Sequence, residues 1–299
     1  MSRFLWLIRR EVWEHKAIWV APAIVIACLV LLMLTGNVHL GPISATDGEA
    51  KFVQMPQDLQ VKLLMVIYAG LALVVFMVMG IVGFFYALDS LYADRRDRSV
   101  LFWKSLPLSD AETVLAKFAV AIVVIPLVAL AASLVAQLVI AAGGSARFAI
   151  GGMPADGLWR PEALFGGFAI TFLWCVTAAL WYSPIVGYLM LASAWAPRGP
   201  FLWAVLPAVG LWIGERVIVG STYVGDFITD RLFGLYRVLG SRDGPDLDEA
   251  GGLENLRTMD LIASLRDFYA SPELWAGVLA AALLLLGAMW VRRYRDETS

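Results

Sequence analysis

Between residues 163 and 196 the chain carries no charged side chain, and residues 17–35, 63–88, 118–141 and 274–291 are equally free of charge. Apolar runs of this length leave no face for water, so they restrict the chain to a membrane interior. Hydrocarbon about 30 Å thick is crossed by about 20 apolar residues in a helix, which satisfies its own backbone hydrogen bonds. Composition agrees, with 60% hydrophobic and 16% charged residues and a mean hydropathy of +0.75. Such values lie outside the soluble range. A further run begins at Phe201 and meets Glu215 and Arg216 before ending near Gly220.

As one helix, residues 163–196 would extend about 50 Å at about 1.5 Å per residue. That exceeds the bilayer, so this segment must tilt, protrude or bend, and Pro184 is the natural bend. Ser271 and Pro272 read as an N-cap and a first helical position for the last span. Charge asymmetry sets the number of crossings. With a cytoplasmic N-terminus and six spans, inside segments hold 13 of the 23 Lys and Arg, and the short outer loops 36–62 and 142–162 hold four. This obeys the positive-inside rule, whereas splitting 163–196 into two spans would put Arg292, Arg293 and Arg295 outside. The expected fold is an all-α polytopic membrane protein. Its spans are 17–35, 63–88, 118–141, 163–196, 201–220 and 274–291, with both termini cytoplasmic.

Residues 1–16 place Leu5, Ile8 and Val12 on one helical face beside Phe4 and Trp6, with Arg3, Arg10 and Glu14 on another. Such a helix suits the cytoplasmic interface or a simple flank of the first span. A signal peptide is disfavoured, because the run after Ala17 exceeds the usual hydrophobic region of about 7–15 residues and the Ser44-Ala45 cleavage site is weak. The outer loop 221–273 carries ten acids and five bases. Its pattern suggests amphipathic helices near 227–239 and 253–269, joined by a turn-rich stretch at 240–252. An outer cap and a solvated connector fit it equally.

Between the second and third uncharged runs stands a polar island, 94–112. Its first residues, Asp94 to Arg98, alternate in sign. Val100, Leu101, Phe102 and Trp103 form an apolar patch too short to span and too greasy for free solvation. Ser109 and Glu112 fit a capping box that starts the third span. Aromatics beside Arg95, Arg96, Arg98 and Lys104 suit a protein interface, and equally a loop dipping into headgroups.

The entry helix, six spans and the string Asp-Arg-Ser-Val-Leu-Phe-Trp-Lys-Ser-Leu-Pro-Leu-Ser-Asp together resemble the permease subunit of a type-2 ABC exporter. Ser-Leu-Pro-Leu-Ser at 105–109 is similar to that family's ending of the cytoplasmic coupling loop. Trp-Ala-Pro-Arg-Gly-Pro-Phe-Leu-Trp at 195–203 resembles its turn between spans four and five. The resemblance implies docking of loop 94–112 on a separately encoded ATPase, through Arg95, Arg96, Arg98, Leu101, Phe102, Trp103 and Lys104. It implies two ATPase subunits that bind ATP and Mg, a second permease copy, and the inner membrane of a bacterium. The second and fifth spans would line a path between the two copies.

This polypeptide holds no Gly-rich phosphate loop ending in Lys-Ser or Lys-Thr, so ATP chemistry must come from elsewhere and the chain alone is no enzyme. No cofactor, metal or nucleic acid is expected on it. His15 and His39 fall on opposite sides of the membrane, and Cys28 and Cys175 fall inside apolar runs. Glu215 and Arg216 are the charges inside a span, either interfacial anchors or parts of an outer vestibule. Tyr68 and Tyr86 are candidates for the translocation path, and with Tyr182 and Ser183 they fit hydrogen bonding between helices equally well. Gly80 and Gly83 suggest close helix approach. A membrane scaffold anchoring a cytosolic partner is the second functional reading. A secondary transporter is the third, with no internal repeat to support it.

Overall fold

A computed structural model describes residues 3–35, 52–97, 109–154, 156–235 and 261–294. Among these residues there are helices and no strands. Among the described residues, six helices are long and apolar enough to cross a membrane. The chain is a multi-pass membrane protein.

Helix α1 (Arg3–Glu14) precedes the first span, α2 (Ala17–Thr35). The second span, α3 (Gln57–Arg96), is a single helix of 40 residues. The third comprises α4 (Asp110–Ala119), a π-helical stretch at Val120–Val124, and α5 (Ile125–Ile150). The fourth, α6 (Pro161–Trp195), continues through Pro184 as one helix. The fifth comprises α7 (Pro200–Gly214) and a π stretch, Glu215–Val219. Helices α8 (Tyr223–Phe233) and α9 (Leu261–Ala270) come from segment 221–273, and α10 (Pro272–Tyr294) is the last span. The expected stretches 36–51, 98–108 and 236–260 lie outside the described residues.

Helix α3 and the third span, α4 to α5, outrun the uncharged segments within them, whereas α6 nearly coincides with its own. Hydropathy marks only the part that crosses hydrocarbon, whereas charged residues such as Asp58, Arg95 and Asp110 continue a helix readily beyond it. The π stretch at Val120–Val124 has a local cause. Pro126 lacks an N–H and its ring crowds the carbonyl four residues earlier, and a widened turn there relieves the crowding.

The chain forms two compact units. One comprises Met1–Trp13, Phe84–Ile122 and Thr177–Ser299. Its core is built on small side chains, Ala87, Ala192, Ala194, Ala204 and Ala288, with Leu91, Val114, Met190 and Leu285 filling between them. In a membrane, where apolar contact with lipid is no worse than with protein, such small residues let helices approach closely. Gly187 shows this directly: a Cβ there would lie 3.2 Å from the Ala281 carbonyl oxygen. The turn after Trp195 is tight, with Gly199 at φ +59°, Pro200 opening α7 and Trp203 edge-on to Trp195.

In this unit α8 and α9 are docked. The Trp181 indole donates to the Arg231 carbonyl at 3.1 Å, the Tyr182 hydroxyl donates to the Leu232 carbonyl at 3.1 Å, and Tyr269 pairs with Thr177. The Arg231 guanidinium stacks on Trp181 at 4.3 Å and donates to the carbonyls of Trp181 and Glu273. Burial lowers its pKa from the ordinary value. Helices α8 and α9 are thus tied to α6 and α10 by polar groups, which is more than a solvated connector requires.

The other unit comprises Glu14–Gly83 and Val123–Val176. Helix α2 lies along α5, with Met33 against Gly143. Phe52, Leu64, Tyr68, Ile140, Phe148, Leu158 and Ala163 form its core. A methyl group added at Gly80 would meet nothing within 4 Å, and one at Gly83 would have ordinary clearance. The close approach expected there occurs instead at Gly167, against Tyr68.

Candidate functional site

Helix α1 buries Leu7, Glu11 and Val12, while Leu5, Trp6 and Trp13 are exposed. Leu7 and Glu11 are four residues apart and share a face. The packed face is therefore centred on an acid, displaced from the expected line through Leu5, and the exposed side carries Trp6 with Arg9 stacked over it at 5.4 Å.

Glu11 meets a chain of alternating charges. Lys117, in α4, places its ammonium 2.9 Å from Glu11 Oε1, 3.3 Å from Asp94 Oδ1 and 2.8 Å from the Ser90 carbonyl, one acceptor for each of its three protons. Asp94, in the last turns of α3, also accepts from Arg292 Nη1 at 2.9 Å, and Arg292 Nε donates to Asp110 at 3.1 Å. The Tyr86 hydroxyl donates to the other oxygen of Glu11 at 3.2 Å. The side chains of Glu11, Lys117, Asp94 and Arg292 are each no more than 6% exposed, and their formal charges cancel. Asp110, 31% exposed, closes the chain at its solvent side.

These residues root, at both ends, the stretch that joins α3 to α4. Asp94 stands just before it, on α3. Asp110 stands just after it, beside a complete capping box in which the Ser109 hydroxyl accepts from the Glu112 N–H at 3.1 Å and the Glu112 carboxylate accepts from the Ser109 N–H at 2.9 Å. A second tie holds α3. The Ser193 hydroxyl accepts from the backbone N–H groups of Leu91 and Tyr92, and Arg95 donates to the carbonyls of Ser193 and Ala196 at 2.7 and 2.8 Å. Arg95 thereby closes the C-terminal end of α6, where helix carbonyls lack partners.

The expected site residues divide accordingly. Arg98, Leu101, Phe102, Trp103 and Lys104 lie outside the described residues. Arg95 is turned inward onto α6, whereas Arg96 is exposed beside Asp89 and Asp97. Tyr68 is fully buried and donates to the Leu158 carbonyl, and Tyr86 serves Glu11. Glu215 accepts from the Ser221 hydroxyl at 2.6 Å and the Val224 N–H at 2.7 Å, satisfying the first turn of α8, while Arg216 is exposed. Glu11, Lys117 and Arg292 are absent from the expected set. Their signal is an ionisable group repeating an apolar helical face: Leu7–Glu11, Val114–Lys117 and Ala288–Arg292.

Both shoulders of the loop lie within one recognisable segment. Residues 59–142 match the family described as ABC-2 family transporter protein. The match supports a type-2 ABC permease subunit, a membrane component whose family implies an ATPase partner. No curated protein and no solved structure matches the chain. The ABC-2 segment contains Asp94, the loop, Asp110 and Lys117. Glu11 and Arg292 fall on either side of it.

Proposed function

We propose that this chain is the transmembrane subunit of an ATP-driven exporter. It acts with a second permease copy and two separately encoded ATPase subunits that carry ATP and Mg. Loop 94–112 is the docking element, with Leu101, Phe102 and Trp103 at its apolar centre and Arg96, Arg98 and Lys104 around it. The chain itself hydrolyses nothing. It sits in a bacterial inner membrane with both termini cytoplasmic.

One observation carries this reading. The ABC-2 match runs continuously from within the second span, through the loop, into the third span; the loop is held by buried charge pairs at Asp94 and by the partly exposed Asp110–Arg292 pair at its other end. A loop that only dipped into headgroups would gain nothing from such anchoring. Interface anchors are characteristically aromatic and Arg side chains held in place by their surroundings. Since Tyr68, Tyr86 and Glu215 are taken up by internal hydrogen bonds, the exposed Arg216 is the member of the expected path set best placed to meet substrate at an outer vestibule.

Affinity purification from mild detergent tests the proposal. An ATP-hydrolysing protein should co-purify with the native chain, and replacing Leu101, Phe102 and Trp103 together by alanine should release it. Absence of that protein, or its undiminished retention by the triple variant, would refute the proposal.

A further inference from the structure

We infer that Glu11, Asp94, Lys117 and Arg292 are positioning residues for coupling, distributing displacement of the loop to α1 and α10 as well as to the spans it directly joins. The inference rests on the proposed ATPase docking.

Its basis is the connectivity of the charges. Loop displacement acts first on α3 and α4, which it joins. Arg292 reaches both shoulders of the loop, Asp94 on α3 and Asp110 on α4. Lys117, two turns into α4, bridges Asp94 and Glu11. The last span therefore holds both shoulders through direct ion pairs, and the N-terminal helix is joined to Asp94 through Lys117. A buried pair resists partial opening, because each separated charge would lose its opposite charge in a poorly solvated site. The helix ends then move together or the chain of pairs breaks, which is the behaviour a transmitting element needs.

Breaking the chain at different links has separable consequences. Glu11→Gln removes the ion pair between α1 and Lys117 and leaves Arg292 on both loop shoulders. Arg292→Gln cuts the tie to α10 and leaves Lys117 on Glu11. A purely stabilising network would not sort its effects by helix in this way.

The test uses the complex purified with its ATPase in lipid nanodiscs, on a Cys28→Ser background. Arg9→Cys on α1 and Arg293→Cys on α10, both at exposed positions, separately carry an environment-sensitive fluorophore. Fluorescence is read without nucleotide and after trapping with Mg-ATP and vanadate. Both probes should respond in the otherwise native chain. Glu11→Gln should abolish the response at position 9 and spare that at 293, and Arg292→Gln should do the reverse. Should either variant fail to fold, Asp110→Asn decides: its partly exposed carboxylate can be lost with the fold intact, and it should weaken the response at 293 alone. Unchanged responses in the variants, equal loss at both probes, or no response in the native complex would overturn the inference while leaving ATPase docking in place. Absence of any ATP-hydrolysing partner would overturn the docking reading and this inference with it.

Discussion

Replacing Lys117 by methionine keeps most of the side-chain stem and removes its charge, so the loss reports mainly on the ion pairs. The ammonium is 3% exposed and its three protons meet Glu11, Asp94 and the Ser90 carbonyl. Removing it leaves the buried quartet with two acids and one base. Asp94 retains Arg292, and Glu11 retains the Tyr86 hydroxyl. Removing one partner of a buried pair costs about 3–5 kcal/mol, against about 0–1 for an exposed pair. A double-mutant cycle separates the pair from the packing. Glu11→Gln alone should also destabilise, yet the combined variant should lose less than the sum by about 1–3 kcal/mol, because the second change removes the charge stranded by the first. Reversible unfolding by SDS titration in mixed micelles provides the free energies. Additivity within about 0.5 kcal/mol, or a Lys117→Met loss below about 1 kcal/mol, would refute the buried-pair account.

Arg231→Ala should loosen α8 and α9 by about 2–3 kcal/mol, from lost stacking on Trp181 and lost bonds to carbonyls; Arg231→Lys should rescue little, since it cannot stack as a plane. Protease sensitivity of the outer segment in right-side-out vesicles checks both. Ser109→Ala should cost about 1 kcal/mol by opening the capping box, whereas Glu112→Gln should stay near the native melting temperature, because glutamine can still reach the cap N–H. Gly187→Leu should destabilise by about 1–3 kcal/mol or more, because the new side chain meets backbone at Ala281, and thermal unfolding in detergent reads it. Single cysteines at positions 5 and 295 should be protected from a membrane-impermeant thiol reagent in intact cells, and one at 160 should be labelled.

The number and order of spans were legible because uncharged runs of this length have one physical outcome. The capping box at Ser109 was legible too, since it depends on two residues three apart. The ends of α3 and of the third span were not, because helical hydrogen bonding continues where hydropathy stops. The charge chain was hidden for another reason. Glu11, Lys117 and Arg292 come from three distant parts of the chain, and each alone looks like an ordinary charge at a membrane boundary. Counting Lys117 and Arg292 as inside charges supports the expected topology while missing that both are buried on acids. Arg95 similarly looks available for docking until the end of α6 is seen to occupy it.

Site-specific photo-crosslinking tests ATPase docking most directly. A photoreactive phenylalanine analogue replaces Trp103 in one sample and Trp159, an exposed residue of the opposite expected side, in another. In native membranes, position 103 should crosslink to an ATP-hydrolysing polypeptide and position 159 should not. No such adduct from position 103, or equal adducts from both positions, would contradict the account.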